Sequence, residues 1–207
     1  MTLTFSCDVG GKVDSAPTTT LTVNDPKIRY DFSQRQITDH PENDTGKPTV
    51  GLTIGKIAAS SFANFSWTHA NLGSGICVQG QLNLDVVVDA EILIASEYDQ
   101  DRCEANAILA HEMKYRNIYA KEAENLIDRI VSRVEMTSRA SSRLPVLTDV
   151  LPGEKPASAG QSVQNLAARQ IQRILDEEVQ ISLVNTNRLD RGLDAAEPFD
   201  VVLSVCP

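Results

Sequence analysis

Histidine, tryptophan and paired cysteines are scarce in this chain of 207 residues. There are three histidines, one tryptophan and four cysteines, and no two cysteines stand in a CxxC spacing. A thiolate zinc site of the finger or ribbon kind needs such pairs, because two sulfurs two or so residues apart grip one side of a tetrahedral ion. That class is excluded. Long apolar runs are missing too, and no stretch approaches the roughly eighteen residues that a membrane-spanning helix requires. Positive charge is in deficit, with 19 Lys and Arg against 28 Asp and Glu. A formal charge of -9 argues against general nucleic-acid binding, which draws its affinity from clustered cations on phosphate. The one local cationic series, Arg129, Arg133, Arg139 and Arg143, alternates with Asp128 and Glu135 and reads as a solvated helix face. No internal repeat or low-complexity segment interrupts the chain.

The remaining composition is that of an ordinary globular protein, 42% hydrophobic and 23% charged, in a length range where one domain over residues 1–207 is expected. Strand-like patterns come first. Leu3 to Val9, Thr18 to Val23, Ile28 to Phe32 and Val50 to Ile57 alternate or are β-branched, and Ile76 to Glu97 is the longest extended run. Between them, Ser33 to Pro48 carries His40-Pro41, Asn43-Asp44 and Gly46 and reads as a long surface loop.

Past residue 100 the apolar period changes to three and four. Ala105, Ile108, Leu109, Glu112, Tyr115, Tyr119, Leu126, Ile127, Ile130 and Val134 predict one long helix from Asp101 to near Ser142, with Asp101 as N-cap and Glu104 three residues on. Pro145, Pro152 and Pro156 break it. A second helix, Ala157 to Leu183, is expected to pair with it antiparallel. A polar stretch through Asn185, Asn187 and Gly192 then leads to a last strand, Phe199 to Val205. The fold class is therefore α+β: a β-rich N-terminal half with a mixed or antiparallel sheet, packed against a long helical hairpin, and a short final strand.

Cys7, Cys77, Cys103 and Cys206 are compatible with two disulfides, one near the chain ends and one joining strand to helix, or with buried free thiols. The last strand is placed to bring Cys206 near Cys7. The N-terminal residues lack the basic and apolar regions of a secretory signal, so export requires a leader removed beforehand.

Several candidate sites fail on inspection. Gly51-Leu-Thr-Ile-Gly55-Lys56 has too few residues between its glycines for a phosphate loop and no Ser or Thr after the lysine. Ser60-Ser61 and Ser141-Ser142 lack a nucleophile-elbow context, and Asp99, Asp101 and Glu104 lack the glycine and bidentate Glu of a calcium loop. Trp67, Phe62 and Phe65 read as core aromatics.

One constellation carries chemistry. His111-Glu112 lies inside the first long helix, after Ala107-Ile-Leu-Ala and before Met113-Lys-Tyr115. In an HExxH helix, two histidines one turn apart hold zinc and the glutamate acts as base toward the metal-bound water. Here the second histidine position is Tyr115. The order Trp67, Cys77, the Leu82 to Ile94 run, Cys103 and Ile108-Leu109-Ala110-His111-Glu112 resembles a bacterial family of predicted secreted zinc-dependent proteases of unknown function, over about residues 60 to 185.

The resemblance implies a zincin-like scaffold, an exported or periplasmic location, His111 as a metal ligand and Glu112 as catalytic base. His69, or else His40, Glu122 or Glu124, would have to complete the ligand set. With HExxY in place of HExxH, the expectation is a catalytically inactive relative that holds no cofactor and binds a protein or peptide partner. An active metallohydrolase using zinc and a helical-hairpin interaction module are the alternatives.

Overall fold

The computed structural model describes residues 3–4, 18–43, 47–69, 76–98, 102–140, 156–196 and 206. Five strands and three helices follow in order: β1 (Leu3–Thr4), β2 (Thr18–Val23), β3 (Lys27–Phe32), α1 (Gln34–Thr38), β4 (Gly51–His69), β5 (Ile76–Ala95), α2 (Cys103–Ala140) and α3 (Pro156–Ala196). The α+β expectation holds, with strands in the N-terminal half and the long helices after them. The sheet is mixed. β5 is the strand with which all the others pair, antiparallel to β1 through Leu3↔Leu82 and parallel to β3 through Lys27↔Glu91, Ile28↔Ile92 and Arg29↔Leu93.

The side-chain pattern of β5 records what covers it. From Leu82 to Ala90 burial alternates, with Leu82, Leu84, Val86, Val88 and Ala90 buried and Asp85 and Asp89 exposed, as expected of a strand with one face in the core. From Ile92 to Ala95 every side chain is buried. There Ile37 of α1, Val50 and Ile108 of α2 join one cluster with Ile92, Leu93, Ile94 and Ala95, so both faces of the strand are covered. The continuous apolar run that closes the longest extended stretch of the sequence has this cause.

Two compact units partition the chain. Unit 1 comprises Met1–Leu21, Ala59–Val86 and Asn125–Gln180; unit 2 comprises Thr22–Ala58, Val87–Glu124 and Ile181–Pro207. In unit 1, Leu126, Ile130 and Val134 of α2 and Ala167, Ile171, Ile174 and Leu175 of α3 are buried. Glu178, almost wholly buried, accepts hydrogen bonds from Arg129 Nε and Arg133 Nη1 at 3.0 Å each, and Arg133 also pairs with Glu177. In unit 2, Glu122 pairs with Asn185 and Tyr119 lies beside Asp190. Within each unit, descending positions on α2 meet ascending positions on α3, so the hairpin is antiparallel.

Four expectations are corrected. Ser33 to Pro48 contains α1, nucleated by a capping box in which Ser33 Oγ accepts from the Gln36 amide at 3.3 Å and Gln36 Oε1 accepts from the Ser33 amide at 2.8 Å. The second helix continues to Ala196, because Ser182, Asn185 and Thr186 form a polar inward face where a loop was expected. Cys206 bonds to Cys103, with Cα atoms 5.7 Å apart, rather than approaching Cys7. Arg129 and Arg133, expected on a solvated face, serve Glu178. Asp101, Cys7 and the expected strand Phe199 to Val205 lie outside the described residues, as do the side chains of Trp67 and Cys77.

Glu178 is the ionic anchor of unit 1. Removing one partner of a fully buried ion pair costs about 3 to 5 kcal/mol, and less here because Arg129 and Arg133 are about one-third exposed and Arg133 keeps Glu177. Glu178→Ala is expected to lower unfolding free energy by about 2 kcal/mol in urea denaturation, with the loss shrinking in high salt.

Candidate functional site

The residues that carried the sequence argument sit in unit 2, where α2 passes against β4. In β4, Gly51, Thr53 and Gly55 share one face, since side chains alternate along a strand. A Cβ placed on Gly51 would lie 2.6 Å from both Glu112 Oε1 and Ile108 Cγ2. One on Gly55 would lie 2.4 Å from the Tyr119 ring. Both distances are far inside van der Waals contact, so glycine at these positions is what lets the Ile108, Glu112 and Tyr119 side chains lie where they do against the strand. The spacing that superficially resembles a phosphate loop is a device for helix–strand packing.

Between the two glycines, the Thr53 hydroxyl meets Glu112. It lies 2.7 Å from Glu112 Oε2, to which it donates, and 3.0 Å from the Glu112 backbone carbonyl. Glu112 is 2% exposed. A carboxylate so far from water needs donors close by, and Thr53 supplies one from the strand.

His111 is equally buried, at 2% exposure, and its Nε2 is 3.2 Å from the Tyr115 hydroxyl. The rings meet edge to face, 5.2 Å between centroids at 76°. The histidine tautomer decides which group donates. Tyr115 occupies the position one turn after His111, where HExxH would place the second imidazole, and its hydroxyl engages Nε2, a ring atom available to a metal.

The other proposed ligands go elsewhere. Glu122 Oε1 accepts from Asn185 Nδ2 at 3.0 Å, and Glu124 pairs with Lys121. His40 Nδ1 accepts from the Glu42 amide at 3.2 Å, beside the Phe32 ring. His69 is the last residue of β4, and its side chain lies outside the described part of the chain. Among the described residues, no three or more His, Cys, Asp or Glu side chains come together in a way that could hold a metal ion. One imidazole and one carboxylate already receiving a hydroxyl do not fit the three protein ligands of a catalytic zinc.

Tyr119 extends the polar stripe one turn further. Its hydroxyl is 3.5 Å from Asp190 Oδ2 of α3, a long O–H···O contact. Burial, with the Asp190 charge and hydrogen bond adding to it, pushes the phenol up to about 12. Gly51, Thr53, Gly55 and the Tyr119–Asp190 pair are the parts of this arrangement that sequence reading missed. The signal for the first three was present, as small residues at period two in a strand. Nothing in the spacing linked residue 119 to residue 190.

No protein-family model, curated protein or solved structure matches the chain.

Two outcomes test this geometry. Thr53→Val removes the strand's donor to Glu112 while keeping the shape, and is expected to cost about 1 to 3 kcal/mol, read by thermal or urea unfolding. Tyr119 has a folded pKa above the unfolded value near 10, so its contribution is complete below pH 10 and declines as pH rises toward 12. Across that interval the wild type should lose stability more steeply than Tyr119→Phe, by about 1.4 kcal/mol per pH unit at most. Equal slopes would contradict the raised phenol.

Proposed function

We propose that this chain is an exported or cell-envelope protein on a zincin-like scaffold that has lost the chemistry of the zinc proteases it resembles and acts by binding a protein or peptide. One observation carries the reading: His111 and Glu112, the residues that would hold metal and activate water, are both buried and committed to Tyr115 and Thr53. A general base must reach water or substrate, and a carboxylate closed under a strand does neither. The Thr53–Glu112 bond ties helix to sheet, while the His111–Tyr115 bond stays within the helix.

Export is supported by the Cys103–Cys206 disulfide, since such bonds persist in oxidising compartments. No described helix is long and apolar enough to cross a membrane. Binding by the helical hairpin is favoured by the exposed apolar residues Met136, Leu166, Ile181, Val184 and Leu189 on α2 and α3.

The deciding measurement is metal content of the oxidised protein purified from zinc-containing medium, beside His111→Ala. No stoichiometric zinc in either protein, and a thermal midpoint unmoved by added zinc or by chelator, is the expected result. One zinc per wild-type chain, lost in the variant, would overturn the reading and reinstate His111 as ligand, Glu112 as base and His69 as the first candidate for a further ligand.

A further inference from the structure

We propose that an exposed stripe of α3 is a docking surface for a second copy of this chain, which lies antiparallel across it about a two-fold axis at the level of Leu175. The proposal names an occupant for the helical hairpin and rests on the binding reading only in that respect. Metal content decides that reading and leaves self-association untouched, so the two fail separately.

Leu166, Gln170, Arg173, Glu177, Ile181 and Val184 form the stripe, and all six are exposed. Their steps of three and four residues keep them on one side of a helix. Helix α3 is continuous from Pro156 to Ala196, so their alignment follows from the helical repeat alone. The apolar members are open to water, Leu166 by 48% and Val184 by 68%.

The order of residue types decides the occupant. Leu166 and Val184 stand equally far before and after Leu175, and so, closer in, do Arg173 and Glu177. In an antiparallel pair related by a two-fold axis, positions equidistant from the axis on the same side of the helix face each other, and every contact is made twice. Leu166 of either copy then meets Val184 of the other, Gln170 stands across from Ile181, and Arg173 faces Glu177. A parallel pair would set Arg173 against Arg173 and Glu177 against Glu177, where like charges repel. The stripe is therefore complementary to itself in one orientation, with two opposite-charge contacts at the centre and apolar contacts at both ends.

These contacts divide the work. Within one chain Arg173 Nε already lies 3.3 Å from a Glu177 oxygen, and exposed ion pairs add little affinity, so the charges set register and orientation. Attraction comes from removing Leu166, Ile181 and Val184 from water. From Leu166 to Val184 the helix rises about 27 Å, which makes a small interface, below the roughly 1,200 Å² of a standard complex. The dimer accordingly forms in the upper micromolar range.

Sedimentation equilibrium on the full oxidised chain tests this, with Arg173→Glu, Glu177→Arg and an equimolar mixture of the two variants. The wild type should pass from one chain mass toward two between about 20 µM and 1 mM. Each variant alone brings like charges together twice and should weaken association at least about fivefold. In the mixture both central contacts are again between opposite charges, and association should return to within about twofold of the wild type or exceed it. A wild type that stays monomeric to about 1 mM overturns the proposal and leaves the stripe to a different partner. A dimer that ignores the variants, or that the mixture does not restore, has its interface elsewhere and overturns it equally. Glu177→Arg also removes a partner of Arg133, so circular dichroism checks its fold. Should it fail to fold, Leu166→Asp and Val184→Asp, each expected to weaken association at least about fivefold, decide the question.

Discussion

The close approach of α2 to β4 is the constraint on which unit 2 turns. Side chains of the helix lie directly over the strand where the strand offers none of its own, and Gly51 and Gly55 provide two such places with Thr53 between them. The approach decides what the helix must present. Ile108 fills the space over Gly51 and joins the β5 cluster, Glu112 reaches Thr53, and the Tyr119 ring lies over Gly55. A carboxylate at the second of these points is tolerable because a hydroxyl waits for it; an unanswered charge there would be costly to folding.

Seen from this contact, His111-Glu112 has a structural account that does not require chemistry. Histidine and glutamate are adjacent on the helix and so point in different directions, the one toward Tyr115 a turn away and the other toward the strand. His111 Nε2 and the Glu112 carboxylate each meet a hydroxyl. The polar stripe then runs on through Tyr119, Glu122, Asn185 and Asp190, and α3 in this unit faces α2 with hydroxyls and amides. In unit 1 the same two helices bury aliphatic side chains, with an ionic anchor where Arg129 and Arg133 converge on Glu178. Polar pairing of this sort specifies one register of the hairpin, because sliding either helix would strand a buried charge.

Much of the fold was legible because period and punctuation are local. The apolar residues from Leu82 to Ile94 marked the longest extended run, and the three–four spacing from Ala105 to Val134 marked α2. Helix α1 was equally local, a Ser33-x-x-Gln36 box, and was obscured by the turn-forming residues around it. The extension of α3 past Leu183 was hidden for a different reason. Asn, Thr and Asp are indifferent helix formers, and here Asn185 and Asp190 face partners on α2 that no local pattern names.

By itself the sequence determined the α+β class, the order of strands before helices, the antiparallel hairpin and the placing of His111, Glu112 and Tyr115 on one helix, since each follows from residue type and spacing along a short stretch. Only the tertiary structure decided that Cys206 joins Cys103, that Gly51 and Gly55 admit a helix, and that Thr53 meets Glu112 across 59 positions. The physical reason is that these are meetings of segments far apart in the chain. Their partners are chosen by which faces pack, and a face acquires its neighbour only when the whole core closes.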